Sequence, residues 1–99
     1  MPAYMIAMTK VFDAEGLAEG YGKAVLPLIK KFGGRYIIRG GRPELFEGEL
    51  DPRRTIIVEF PTMEALRAFW HSSEYAEVKK LRQGLAQLDV WSMPGTDVV

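Results

Sequence analysis

Apolar residues occupy both parities of the opening stretch. Tyr4, Ile6 and Met8 fall on one side of an extended chain, and Met5, Ala7 and Val11 on the other. A strand that is apolar on both sides is covered on both sides, so residues 3–12 predict a strand inside a layered fold. At Asp13 the period changes. Leu17, Tyr21, Val25, Leu28, Ile29 and Phe32 recur at helical spacing, with Asp13 placed to cap the first turn and Gly33-Gly34 placed to end the last. Pro27 lies inside this helix and is expected to kink it, because its ring has no N–H and crowds the preceding turn.

The pattern then returns to period two. Arg35 to Arg39 reads as a second strand that Pro43 to Phe46 continues after a bend at Gly40-Gly41, where glycine tolerates bulge geometry. Residues 48–53 are turn-rich, and Thr55 to Phe60 is the most uniformly β-branched run, which predicts a central strand. Pro61-Thr62 stops it and caps a helix over Met63 to Trp70, with Leu66, Phe69 and Trp70 on one stripe. Ser72-Ser73 opens a second helical piece carrying Tyr75, Val78, Leu81 and Leu85, and Leu88 to Met93 closes the pattern as a fourth strand. The order β-α-β-β-α-β is that of an α+β, ferredoxin-like split βαβ fold with a four-stranded antiparallel sheet and helices on one face. Strands one and three are nonetheless apolar on both parities. The uncovered face therefore predicts a homodimer formed sheet against sheet.

Composition narrows the classes. Ninety-nine residues make a single domain over positions 1–99, and 47% hydrophobic with 26% charged residues is a globular rather than a disordered balance. Thirteen basic residues offset thirteen acidic ones, which speaks against nucleic acid as a partner. The absence of cysteine excludes disulfides, thiolate nucleophiles and zinc fingers and fits a cytoplasmic setting. The opening residues lack the basic start and cleavage site of a signal peptide, and no run reaches membrane-spanning length, so no membrane association is expected. No G-x-S-x-G elbow surrounds the three serines, and no phosphate-binding glycine motif is present. Glu44, Glu47, Glu49 and Asp51 lack the spacing of a calcium loop and read as solvated loop charge. No metal and no cofactor is expected.

The candidate chemistry lies in charges set among apolar residues. The stretch GGRYIIRGG carries paired glycines beside arginine, but neither pair precedes a helix, so it is no phosphate cradle. Arg39 and Glu59 stand near the ends of neighbouring strands, close enough in that topology to pair; otherwise Arg39 would hold an anionic substrate while Glu59 moves a proton. Arg82 follows Tyr75 by seven residues and His71 by eleven, a spacing that can share one helical face. His71 is the only histidine, which excludes a multi-histidine metal site but leaves a general base or a single axial haem ligand. The aromatic set of Tyr4, Phe32, Tyr36, Phe60, Phe69, Trp70, Tyr75 and Trp91 can fill a core or line an apolar cavity. The candidate set is thus Glu59 and His71 for catalysis, with Arg39, Arg82, Tyr75 and Trp70 for substrate.

The stretches GGRYIIRGG, ELFEGE, RTIIVEFPTMEALRAFW and SSEYAEVKKLRQG, in that order, resemble the DUF1330 family within the dimeric α+β barrel superfamily. The resemblance runs from Tyr4 to about Trp91. It implies the same fold and dimer, and it places Tyr75 and Arg82 in a recognisable part of the family pattern. The family has no assigned reaction, and the superfamily spans monooxygenases, haem-handling enzymes, dehalogenases and isomerases, so it selects no chemistry. Two functions follow as expectations. One is a cofactor-independent enzyme of monooxygenase, isomerase or lyase type acting on a small apolar or aromatic anion. The other is a non-catalytic small-ligand-binding or structural dimer in which the charges satisfy one another.

Overall fold

The first strand, β1 (Ala3–Val11), sits between two partner strands. The computed structural model describes residues 1–96. After β1 come α1 (Ala14–Leu17), a wide π turn over Ala18–Gly22, and α2 (Lys23–Lys31). The strands β2 (Arg35–Arg39) and β3 (Arg54–Phe60) follow, then α3 (Met63–Trp70), α4 (Ser73–Lys79), a 3-10 turn over Lys80–Arg82, and β4 (Ala86–Pro94). All pairings are antiparallel in the order β2-β3-β1-β4, which is the ferredoxin-like topology.

Local chemistry sets the helix ends. The Asp13 carboxylate accepts from the Gly16 N–H at 2.9 Å, and Thr62 and Ser72 cap α3 and α4 through the N–H groups of Ala65 and Tyr75. Beyond α2, Gly33 takes φ +85°, and the N–H groups of Gly33 and Gly34 donate to the carbonyls of Lys30 and Ile29. That pair of bonds is a Schellman closure, and the left-handed φ is why glycine stands there.

The helices cover one face of the sheet. Ala3, Met5, Ala7 and Thr9 of β1 point into it, and Val25, Ile29, Val58, Phe60, Phe69 and Tyr75 are fully buried there. Phe69 is central, its ring centroid 5.4 Å from that of Phe60, 6.0 Å from Phe32 and 4.5 Å from Tyr75. On the opposite face the register aligns Ile38, Ile57, Ile6 and Trp91 in one row, with Tyr4 beside Met93. Among the described residues no element lies over this row, and Ile38, Trp91 and Met93 remain 43%, 44% and 49% exposed. The molecule is a slab only 16 Å thick in its least dimension, which holds a sheet and one layer of helices.

Three local expectations change. The bulge lies not at Gly40-Gly41 but between Tyr36 and Ile38, where the pairing with β3 slips by one residue. Gly40 instead ends the strand at φ +72°, its N–H donating to the Thr55 carbonyl at 2.8 Å. Pro43 to Phe46 forms no strand and belongs to an exposed connection, in keeping with the N–H that proline cannot give to a ladder. In the first helical region the departure from α geometry is the π turn upstream of Pro27, where the Lys23 N–H reaches the Ala18 carbonyl. Gly20 and Gly22 lower the preference of that turn for regular helix.

Candidate functional site

The bulge at Ile37 decides which way Arg39 faces. Side chains alternate along a strand, so residues 35, 37 and 39 would share one face in unbroken pairing. Arg35 opposes Glu59 on the outer face, and Tyr36 opposes Val58 on the helix-covered face. After the extra residue, Ile38 opposes Ile57 on the outer face and Arg39 opposes Ile56 on the helix side. One inserted residue thus re-aims the guanidinium from the outer face to the cleft under the helices.

The next row on the same face of the sheet contains Arg54, Thr9 and Leu88, consecutive across β3, β1 and β4. Together with Ala14, Leu17 and Ala18 of the first helical region, Tyr21 of the π turn, and Tyr36, Arg39 and Ile56, they line a cavity of about 130 Å³. Its body is apolar and its mouth is cationic. Arg39 stacks on the Tyr36 ring, 4.5 Å from guanidinium carbon to centroid. Arg54 passes over Gly40 so closely that a β-carbon there would stand 1.9 Å from its Nε. No acidic residue lines the cavity. Among the described residues, no carboxylate forms an ion pair with Arg39, Arg54 or Arg82.

Two buried polar atoms have no hydrogen-bond partner among the described residues: Thr9 Oγ1 and Arg82 Nε. Thr9 is 3% exposed and forms part of the cavity lining. A buried hydroxyl without a partner costs about 1–3 kcal/mol, so a group that enters the cavity and bonds to it recovers that cost. Above the cavity, the Tyr21 and Tyr75 hydroxyls lie 2.8 Å apart, and the Arg82 guanidinium stands 5.7 Å from the Tyr21 ring centroid. Burial, followed by the neighbouring Tyr75, pushes the Tyr21 phenol well above the usual tyrosine range, and burial also raises that of Tyr36. Both phenols are therefore neutral hydrogen-bond donors at ordinary pH.

The candidates from sequence divide among three places. Arg39 lines this cavity, whereas Tyr75 and Arg82 do not line it and meet it only through their contacts with Tyr21. Glu59 does not meet Arg39; it lies on the outer face, where it accepts from Arg35 Nε at 3.0 Å and holds the Tyr4 phenol above its ordinary range by hydrogen bonding. Register is the reason that pairing fails: Arg35, not Arg39, opposes Glu59, and Arg39 lies near the other end of β3 opposite Ile56. His71 does not share a face with Tyr75 and Arg82, because it ends α3 with its N–H on the Arg67 carbonyl at 2.9 Å, before the break at Ser72. His71 and Trp70 instead border an open cavity of about 280 Å³ with Arg67 and Trp91, beside β4. That cavity is larger, yet neither unsatisfied buried polar atom borders it. Of the aromatic set, Phe60, Phe69 and Tyr75 fill the core, and only Tyr36 lines the cationic cavity.

Sequence reasoning missed Thr9, Tyr21 and Arg54. Thr9 is the one polar residue on the buried parity of β1, and Tyr21 follows Gly20 and precedes Gly22, so both carried a signal. Arg54, one of two adjacent arginines ahead of a β-branched strand, carried none.

Fold and cleft together define a ferredoxin-like α+β protein, the arrangement from which dimeric α+β barrels are built. Within that class, the chain belongs to the family described as a domain of unknown function, DUF1330, whose pattern matches residues 2–96. Among solved structures, it is similar to RPA0582, a protein of unknown function from Rhodopseudomonas palustris, at 19% identity and a TM-score of 0.75, covering 98% of this chain and 84% of that one. It is also similar to an ethyl tert-butyl ether D (EthD) family protein from Bacillus halodurans, at 18% identity and a TM-score of 0.62, covering 97% of this chain and all of that one. The de novo designed protein Foldit4 matches with the same TM-score of 0.62 at 11% identity, covering 97% of this chain and 100% of that one. No functionally curated protein matches the sequence. At these identities the likeness concerns the fold and selects no activity. No helix among the described residues is long and apolar enough to cross a membrane.

Proposed function

We propose that this protein binds a small organic anion with an apolar body in the cleft between helices and sheet, and that it does so as a homodimer. One observation carries the ligand reading: a buried, unpartnered Thr9 hydroxyl lines an apolar cavity whose mouth holds two arginines without carboxylate partners. The size fits a ligand about as large as benzene, which occupies a dry protein cavity of roughly 150 Å³. The two guanidiniums supply charge-assisted hydrogen bonds to a carboxylate, and Leu17, Ile56 and Leu88 cover its apolar part.

The chemistry open to this cleft is that of neutral phenols and fixed cations. It suits the stabilisation of a developing oxyanion, as in an isomerase or lyase, better than proton abstraction by a carboxylate, because Glu59 lies on the other face. The dimer reading rests on the uncovered row of Ile38, Ile57, Ile6 and Trp91, which a second copy covers in the simplest closed symmetry.

Calorimetric titration tests the site with benzoate and its neutral counterpart, benzyl alcohol. Benzoate should bind and benzyl alcohol should not. Arg39→Ala and Arg54→Ala should each weaken benzoate by about tenfold or more, the worth of one charge-assisted hydrogen bond. Equal binding of the two probes, or benzoate affinity untouched by both substitutions, would remove the proposal. Light scattering tests the dimer, which should show about twice the 11.2 kDa chain mass.

A further inference from the structure

Of the two arrangements of protons that the contact between the Tyr21 and Tyr75 hydroxyls allows, one strands the fully buried donor. Tyr75 is 1% exposed, and its hydroxyl has one hydrogen-bond partner among the described residues, the Tyr21 hydroxyl at 2.8 Å. If Tyr21 donated to Tyr75, the Tyr75 O–H would be buried with nothing to bond. If Tyr75 donates to Tyr21, the buried donor is satisfied, and the proton left over belongs to the residue that lines the cavity. Donation by Tyr75 also polarises the Tyr21 O–H and makes it a better donor.

Two features fix Tyr21 in that role. It sits in the π turn Ala18–Gly22, a helix irregularity that recurs at functional sites, and its ring packs edge-on against Tyr75 at 6.5 Å. The Arg82 guanidinium, 5.7 Å from the ring centroid, contributes positive charge near any oxyanion formed there.

We propose that Tyr21, oriented by Tyr75, donates a hydrogen bond to a second oxygen of the ligand, so that the site selects oxo acids over simple carboxylates of equal shape. The substrate class is then a short carboxylate that also carries a carbonyl oxygen. This inference rests on the anion-binding reading of the same cleft. Arg39 and Arg54 take the carboxylate, and Tyr21 is a specificity-determining residue for the carbonyl.

The probes are 4-oxopentanoate and 4-methylenepentanoate, which differ by a carbonyl oxygen in place of a methylene. Both should bind by calorimetric titration, the oxo acid about tenfold more tightly, as expected for one buried hydrogen bond to a polarised donor. Tyr21→Phe should abolish the preference, so that within that variant the oxo acid binds no more tightly than the methylene analogue. Tyr75→Phe should reduce the preference without removing it, since Tyr21 keeps its proton but loses its orienting partner. Equal affinity of the two probes for the unmodified protein, or a preference that survives Tyr21→Phe, overturns the inference while leaving the anion site standing. Failure of both probes to bind overturns the anion site and this inference together.

Discussion

Replacing Gly40 by alanine separates backbone strain from the geometry of the cationic mouth. Gly40 has φ +72°, and an added methyl carbon would stand 1.9 Å from Arg54 Nε and 2.7 Å from its Cζ. The left-handed conformation costs a non-glycine residue roughly 1–2 kcal/mol. Arg54 is an exposed, flexible side chain, so moving it adds little to that cost, but it cannot stay where it is. Two neighbouring glycines provide controls. Gly48 has φ +89° with nothing within 4 Å of the added carbon, and Gly41 has open space and no positive φ. Denaturant unfolding should therefore show Gly40→Ala and Gly48→Ala each destabilised by about 1–2 kcal/mol, with Gly41→Ala close to unchanged. Titration with benzoate should divide the same variants differently. Only Gly40→Ala should lose about tenfold in affinity, because only there does the substitution evict a guanidinium. A Gly40→Ala protein that binds benzoate as tightly as the unmodified protein would show that Arg54 is not part of the site. An equal loss in Gly48→Ala would show that general destabilisation, not displacement of Arg54, weakens binding.

Three further outcomes are expected. Phe69→Ala removes a fully buried ring stacked among Phe32, Phe60 and Tyr75, and should cost about 3–5 kcal/mol in urea unfolding, enough to leave much of the chain unfolded at 37 °C. Ile57→Lys places a charge in the middle of the uncovered row and should convert a dimer into a monomer by light scattering, with little loss of helical circular dichroism. The Tyr21 phenol is raised in the folded state, so its contribution is complete below the unfolded tyrosine value near pH 10 and is lost as pH rises above it. Urea midpoints measured from pH 9 to 11 should fall, and Tyr21→Phe should flatten the fall by up to about 1.4 kcal/mol per pH unit above 10.

Element type was written plainly in the sequence, because each signal was local. Asp13, Thr62 and Ser72 cap the helices they precede, and Gly33-Gly34 closes α2 with the expected left-handed glycine. The β-branched run Thr55 to Phe60 predicted a central strand, and β3 lies between β2 and β1. Register was a different matter. Whether Arg39 faces the outer side or the cleft depends on one unpaired residue, and Tyr36-Ile37-Ile38 is apolar throughout, so alternation offers no mark of where the pairing slips. The helix break at Ser72 had a similar effect at longer range. Spacing alone joined His71 to Tyr75 and Arg82, whereas the break leaves His71 exposed at the end of α3.

The fold therefore supplies a scaffold, and the local irregularities supply the site. Regular pairing of β2 would set Arg35 and Arg39 on one face, with Arg39 opposite Thr55, and the cleft would lose a cation. Regular helix from Asp13 to Lys31 would lack the wide turn that contains Tyr21. Both departures lie where a side chain enters the same cavity, and neither stabilises the sheet or the core. A bulge leaves one residue unpaired, and a π turn gives up the preferred i to i+4 bonding, so each costs stability locally. Sites that spend stability in this way are the ones expected to work, since real sequences depart from local consistency chiefly where function requires it. By the same reasoning, the larger cavity beside His71, bordered by regular α3 and regularly paired β4, carries no such irregularity.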